Sequence, residues 1–135
     1  MRRRKGLKDR YELMQRIREF IEEINIGVSL VIVEGMHDEA VLRRMMLKTP
    51  IVRFCDSHMP RFEFVEMVTK NYRGLTVLIL FDYDREGSTM ANRMRVELEE
   101  GGVRIESRIR EELGELLVRE GIRRIEEIDA IFRKF

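Results

Sequence analysis

The chain has 135 residues, 38% charged and 44% hydrophobic, with a formal net charge of +1. That length suits one domain able to bury a core without disulfides or structural metal, and the single cysteine, Cys55, leaves no partner for an internal disulfide. No apolar run is long enough to cross a bilayer, and the near-neutral total gives no global basic field that would announce nucleic acid.

Charge is unevenly placed. Arg2, Arg3, Arg4, Lys5, Lys8 and Arg10 crowd the first ten residues against one acid, Asp9. No apolar segment follows this basic start, so it does not read as a secretory signal, and a cytoplasmic protein is expected. So charged a surface also fits the ion-pair networks of proteins that work hot.

From Leu7 to Ile24, apolar residues at Leu7, Tyr11, Met14, Ile17, Ile21 and Ile24 predict an amphipathic helix, which Asn25 to Gly27 would stop. Ser29 to Val33 reads as a first strand, His37 to Leu47 as a helix, and Ile51 to Phe54 as a short second strand. Pro60 opens another helix, whose predicted apolar face is Phe62, Val65, Val68 and Tyr72. Val77 to Phe81 is a third strand, apolar throughout as suits a strand buried on both faces. A helix from about Ser88 to Glu100 follows, with Met90, Met94 and Leu98 on one face, and Val103 to Ile105 is a fourth strand. Two helices finish the chain, one carrying Ile109, Leu113, Leu116 and Leu117, the other Ile125, Ile128, Phe132 and Phe135. Strands alternating with helices predict an α/β fold with a parallel sheet of about four strands covered on both sides. The organisation expected is a basic tail and helix over 1–28, a core over 29–105, and a helical extension over 106–135 packed on the same domain.

Two strand ends share a form. The first reads VIVEGMHDEAV and the third LILFDYDREGS, each a buried apolar run followed by acid and glycine. In open parallel sheets ligands bind beyond the carboxyl ends of the strands. If the first and third strands are neighbours, in the order 2-1-3-4, Glu34, Asp82 and Asp84 converge there. Carboxylates packed so closely repel, and a hard divalent cation is the usual relief. Gly35 and Gly87 would permit backbone angles and close approach. An Asp-x-Asp after a strand also serves as a turn and helix cap, and Asp84 suits that role too. Cys55 carries no partner motif and is expected to be a small buried residue. Phosphate-binding Gly-rich loops and Cys-x-x-Cys zinc patterns are absent from the sequence.

VIVEG followed by FDYDREG resembles the Toprim domain, a Rossmann-like fold shared by DNA topoisomerases, bacterial-type primases, repair proteins and nucleases. Glu34 matches the family's glutamate, Asp82 and Asp84 its aspartate pair, and Asp84-Arg85-Glu86-Gly87 is close to the form in type IA topoisomerases. In size and arrangement the chain is most similar to the small stand-alone archaeal Toprim proteins, often called small primase-like proteins. The resemblance covers about Ser29 to Ile105. It implies Mg²⁺-dependent phosphoryl transfer on nucleic acid, with Mn²⁺ as a substitute. Asp82 and Asp84 would hold the metal, and Glu34 would be a third ligand or the acid/base. Arg85 would reach a phosphate, with Asp38, Glu86, Gly35 and Gly87 in support. Met36 stands where many members have lysine, and a topoisomerase would need a nucleophilic tyrosine from a separate domain. Tyr83 is expected to point away from its flanking aspartates. Two functions compete: an enzyme that cleaves or extends RNA or DNA, and a non-catalytic binding module of a replication or RNA-processing assembly. No membrane partner is expected.

Overall fold

The apolar runs pair as one parallel sheet because β-strands joined by helical crossovers lie side by side in the same direction. In the computed structural model, which describes residues 6–133, β1 (Leu30–Val33), β2 (Ile51–Arg53), β3 (Thr76–Ile79) and β4 (Arg104–Ile105) take the order β2-β1-β3-β4, all parallel. β1 and β3 are therefore direct neighbours, as the converging acids require. The basic residues Arg2 to Lys5, and Phe135, lie outside the described residues.

Alternation along β1 and β3 feeds two cores. Val31, Val33, Leu78 and Leu80 pack in one, with α1 (Leu7–Gly27), α2 (Met36–Arg44), α5 (Ser107–Arg119) and the chain's last turns. Leu30, Ile32, Val77, Ile79 and Phe81 pack in the other, with α3 (Arg61–Tyr72) and α4 (Arg85–Glu100). Both faces are covered, which is why neither strand alternates with polar residues. Among the described residues no helix is long and apolar enough to cross a membrane.

Several details differ from expectation. The buried row of α3 is Phe64 and Val68, and Phe62 is 65% exposed. Phe64 stands edge-on to Phe54 at 4.9 Å between ring centres, so it is the row that meets the sheet. On α1 the buried face is Leu13, Met14, Ile17, Ile21 and Ile24, while Tyr11 lies outward. α2 stops at Arg44 because Met46 adopts a left-handed φ of 72°. α4 begins at Arg85, three residues before Ser88, because Asp84 caps it. The last predicted helix is instead a 3-10 turn, Ile125–Ile128, running into the short α6, Asp129–Phe132.

β4 is too short to cover its neighbour. Leu75 and Val77 carbonyls accept from Arg104 and Glu106 amides at 3.0 and 2.9 Å. The next two in that row, Ile79 and Phe81, accept instead from Arg110 Nη1 at 3.1 and 2.8 Å. One arginine side chain on α5 thus continues the ladder where the strand has ended, satisfying carbonyls that burial would otherwise penalise.

Candidate metal centre

Glu34 follows β1 and Asp82 follows the apolar run of β3, so adjacent strands deliver both acids to the same edge. The Asp82 amide donates to Glu34 Oε2 at 2.9 Å. Gly35 is the N-cap of α2, and its amide donates to Asp38 Oδ2 at 3.2 Å, turning that carboxylate back towards the strand ends. Asp38 is only 6% exposed. One oxygen each from Glu34, Asp38 and Asp82 lies within 4.8 Å of the others.

Asp84 does not join that group. Its Oδ1 accepts from the Gly87 amide at 2.7 Å, so it satisfies a free donor in the first turn of α4. Arg85 and Glu86 are exposed, and Arg85, Glu86, Thr89, Met90 and Arg93 line a shallow cavity of about 370 Å³. The two glycines differ in kind. A Cβ on Gly87 would sit 2.3 Å from the Asp82 carbonyl oxygen, so the close approach expected there is real. Gly35 has an ordinary extended φ of −148°, and its nearest neighbour, an Asp56 carboxylate oxygen, would lie 4.0 Å from a Cβ. Glycine is not required at that position.

Burial and neighbouring negative charge hold protons on Glu34 and Asp38. Burial, with the Asp82 charge beside it, pushes Glu34 up to about 7 against the opposing pull of the Asp82 amide. Burial likewise pushes Asp38 up to about 6, helped by Asp82 and Glu126 and opposed by the Gly35 amide. Three crowded carboxylates, of which Glu34 and Asp38 resist ionisation, are a donor set a hard cation would relieve, and an all-oxygen set suits Mg²⁺ or Mn²⁺. The residues present fit such an ion.

The chain's last turns complete the site. The Ile125 amide donates to Asp82 Oδ1 at 2.8 Å, and the Tyr83 amide donates to the Arg123 carbonyl. Tyr83 itself turns away, as alternation requires. Its hydroxyl donates to the Arg110 carbonyl at 2.8 Å, and the Arg110 guanidinium lies 4.5 Å from the ring centre. Burial pushes its phenol up to about 12, so it is neither placed nor poised as a nucleophile. Cys55 is exposed, not buried, and desolvation with nearby carboxylates pushes its thiol up, away from reactivity.

A cavity of about 720 Å³ lies between α4 and α5, walled by Tyr83, Ala91, Arg110, Gly114 and Val118 among others. It contains none of the three clustered carboxylates. Sequence reasoning placed Asp38 only in support and missed Ile125 and Arg110. A readable signal existed for Asp38 alone: an acid three residues after Gly35 at the start of a helix has capping-box spacing.

No protein-family model matches the chain. It is 31% identical to a UPF0292 protein of Thermococcus gammatolerans over 91% of this chain and 88% of the relative. A UPF0292 protein of Thermococcus onnurineus is 30% identical, again over 91% and 88%. One from Methanocaldococcus jannaschii is 29% identical over 93% of this chain and 96% of the relative. Among solved structures, a putative protein from Aquifex aeolicus superposes with a TM-score of 0.60, covering 92% of this chain and 99% of that one at 22% identity. That likeness speaks for the fold alone.

Proposed function

The chain belongs to the UPF0292 family, and we propose that it is a Toprim-like, Mg²⁺-dependent protein that acts on nucleic acid by phosphoryl transfer. The observation that carries this reading is the convergence of Glu34, Asp38 and Asp82 oxygens within 4.8 Å beyond the ends of two adjacent parallel strands. Those three residues would hold the ion. A bound cation there supplies positive charge against phosphate oxygens and the charge that develops on them. Ligand and acid/base are alternatives for the one Glu34 carboxylate: with Asp38 and Asp82 holding the ion, Glu34 would be free to handle a hydroxyl proton. Asp84 acts through α4, holding its first turn against the Asp82 main chain, which is a positioning role.

A polymer is the better substrate class than a small molecule. Sites for small ligands are enclosing clefts, whereas Glu34 and Asp82 stand part-exposed at the rim of the sheet, where a long chain can reach them. Strand passage is not part of the proposal, since Tyr83 faces away from the acids. The test is incubation of labelled RNA and DNA, with and without unlabelled nucleotides, in Mg²⁺, Mn²⁺ or chelator. Metal-dependent shortening or extension that disappears in Asp82→Asn and Glu34→Gln is expected. Identical products in the wild type and both variants would defeat the catalytic reading.

A further inference from the structure

We infer that Arg123 and Arg124 form the phosphate-binding edge of this site, gripping the backbone of the nucleic acid beside Asp82. This rests on the function proposed above and adds the residues that would recognise the polymer. The segment carrying them is pinned to the acidic centre on both sides. The Arg123 carbonyl accepts from the Tyr83 amide, and the Ile125 amide donates to Asp82 Oδ1 at 2.8 Å. Ile122 and Ile125 are buried, anchoring the segment in the core, and the two arginines between them are exposed.

These cations are also uncommitted. Arg44, Arg53, Arg61, Arg95, Arg108 and Arg133 each form an ion pair with an acid. Arg123 and Arg124 form none among the described residues. The adjacent carboxylate, Glu127, is engaged by their main chain: its Oε1 accepts from the Arg123 and Arg124 amides at 3.3 and 2.9 Å. That contact fixes the backbone and leaves both guanidinium groups available.

Charge gives the arrangement its logic. A polyanion approaching Glu34, Asp38 and Asp82, with Glu126 nearby, meets repulsion that one bound dication offsets only in part. Two exposed guanidinium groups on the same pinned segment supply the remaining attraction, and their planar donor forks match phosphate oxygens. Because the anchors are bonds to Asp82 and Tyr83, a phosphate held there is held in register with the acidic centre.

The experiment uses the full chain, the double variant Arg123→Ala with Arg124→Ala, the charge-preserving pair Arg123→Lys with Arg124→Lys, and Arg108→Ala as a paired-arginine control. Fluorescence anisotropy with labelled single-stranded RNA and DNA is read across a salt series, and Mn²⁺ affinity is measured by calorimetry. The alanine pair should weaken binding by about tenfold and lower the slope of log affinity against log salt by about 1.5. The lysine pair should keep the slope, and Arg108→Ala should match wild type. Mn²⁺ affinity should be unchanged in every arginine variant. An alanine pair with wild-type affinity and slope overturns the inference, as does a wild type that binds neither nucleic acid. Mn²⁺ that fails to bind wild type, with the arginine effect intact, removes the metal reading and leaves this one standing.

Discussion

The metal-free protein should carry a stability term that falls as pH rises from about 4 to 7, opposite in sign to that of salt-bridged carboxylates. Glu34 is displaced from its ordinary 4.5 to about 7, and Asp38 from 3.8 to about 6, both upward through burial first. The folded state therefore keeps protons that the unfolded chain has already released, and stability falls with pH wherever the folded state binds more protons. The contribution is complete below the unfolded values, near 4, and lost once pH passes about 7. At about 1.4 kcal/mol for each pH unit, discounted because Glu34 is part-exposed and the two groups share one repulsion, the loss should come to about 2–3 kcal/mol. Ion pairs elsewhere slope the other way, so the informative quantity is a difference. Urea midpoints in chelator should show Glu34→Gln equal to wild type at pH 4.5 and more stable than it at pH 7.5. Saturating Mg²⁺ should close that gap from the wild-type side, because a ligand that binds the folded state stabilises it. A Glu34→Gln advantage that is the same at both pH values would mean Glu34 does not titrate abnormally.

Gly87→Ala should be among the most damaging single changes in the chain, although it adds one methyl group to the first turn of a helix, where alanine is otherwise favoured. The new Cβ would meet the Asp82 carbonyl oxygen at 2.3 Å, its carbon at 2.9 Å and Asp84 Oδ1 at 3.0 Å. Two of those atoms are backbone, so relief requires moving α4 off the end of β3 or moving Asp82. Overpacking of this kind costs about 1–3 kcal/mol, and more where the backbone cannot shift. Either movement separates Asp82 from Glu34, so metal affinity should fall with stability. Gly35→Ala is the matched control: with an ordinary φ and 4.0 Å of clearance it should cost less than about 1 kcal/mol. Thermal unfolding of the two variants checks the contrast, and equal losses would mean the packing at Gly87 is not what sets the Asp82 position.

The sheet and its order were legible because β1 and β3 are apolar on both faces and both end in acid and glycine. Requiring those ends to meet leaves only one arrangement, β1 beside β3. Details resting on helical phase were less legible. Phe62 lies three residues before Val65 and Phe64 four before Val68, so both start a helical row, and only the contact of Phe64 with Phe54 selects the buried one. The last segment misleads in a similar way. Ile122, Ile125 and Ile128 are buried at steps of three, the period of a 3-10 turn and not of the full helix expected. At the site, Glu34 and Asp82 were readable from strand ends. The task of Asp84 was not decidable, because a ligand and an N-cap use the same residue at the same place. Arg110 and Ile125 had no local signal, since their partners at the site lie 27 to 43 residues away.

The most direct measurement is calorimetric titration of Mn²⁺ into the metal-free protein at pH 7, in two buffers of different ionisation enthalpy, with Glu34→Gln, Asp38→Asn, Asp82→Asn and Asp84→Asn alongside. A single saturable site that releases protons on binding is expected, because a cation displaces protons held on crowded carboxylates. Binding should be lost in Asp82→Asn, weakened in Glu34→Gln and Asp38→Asn, and largely kept in Asp84→Asn, where asparagine caps α4 as well as aspartate does. No binding by the wild type, or binding untouched by all three cluster variants, would contradict a metal centre at Glu34, Asp38 and Asp82.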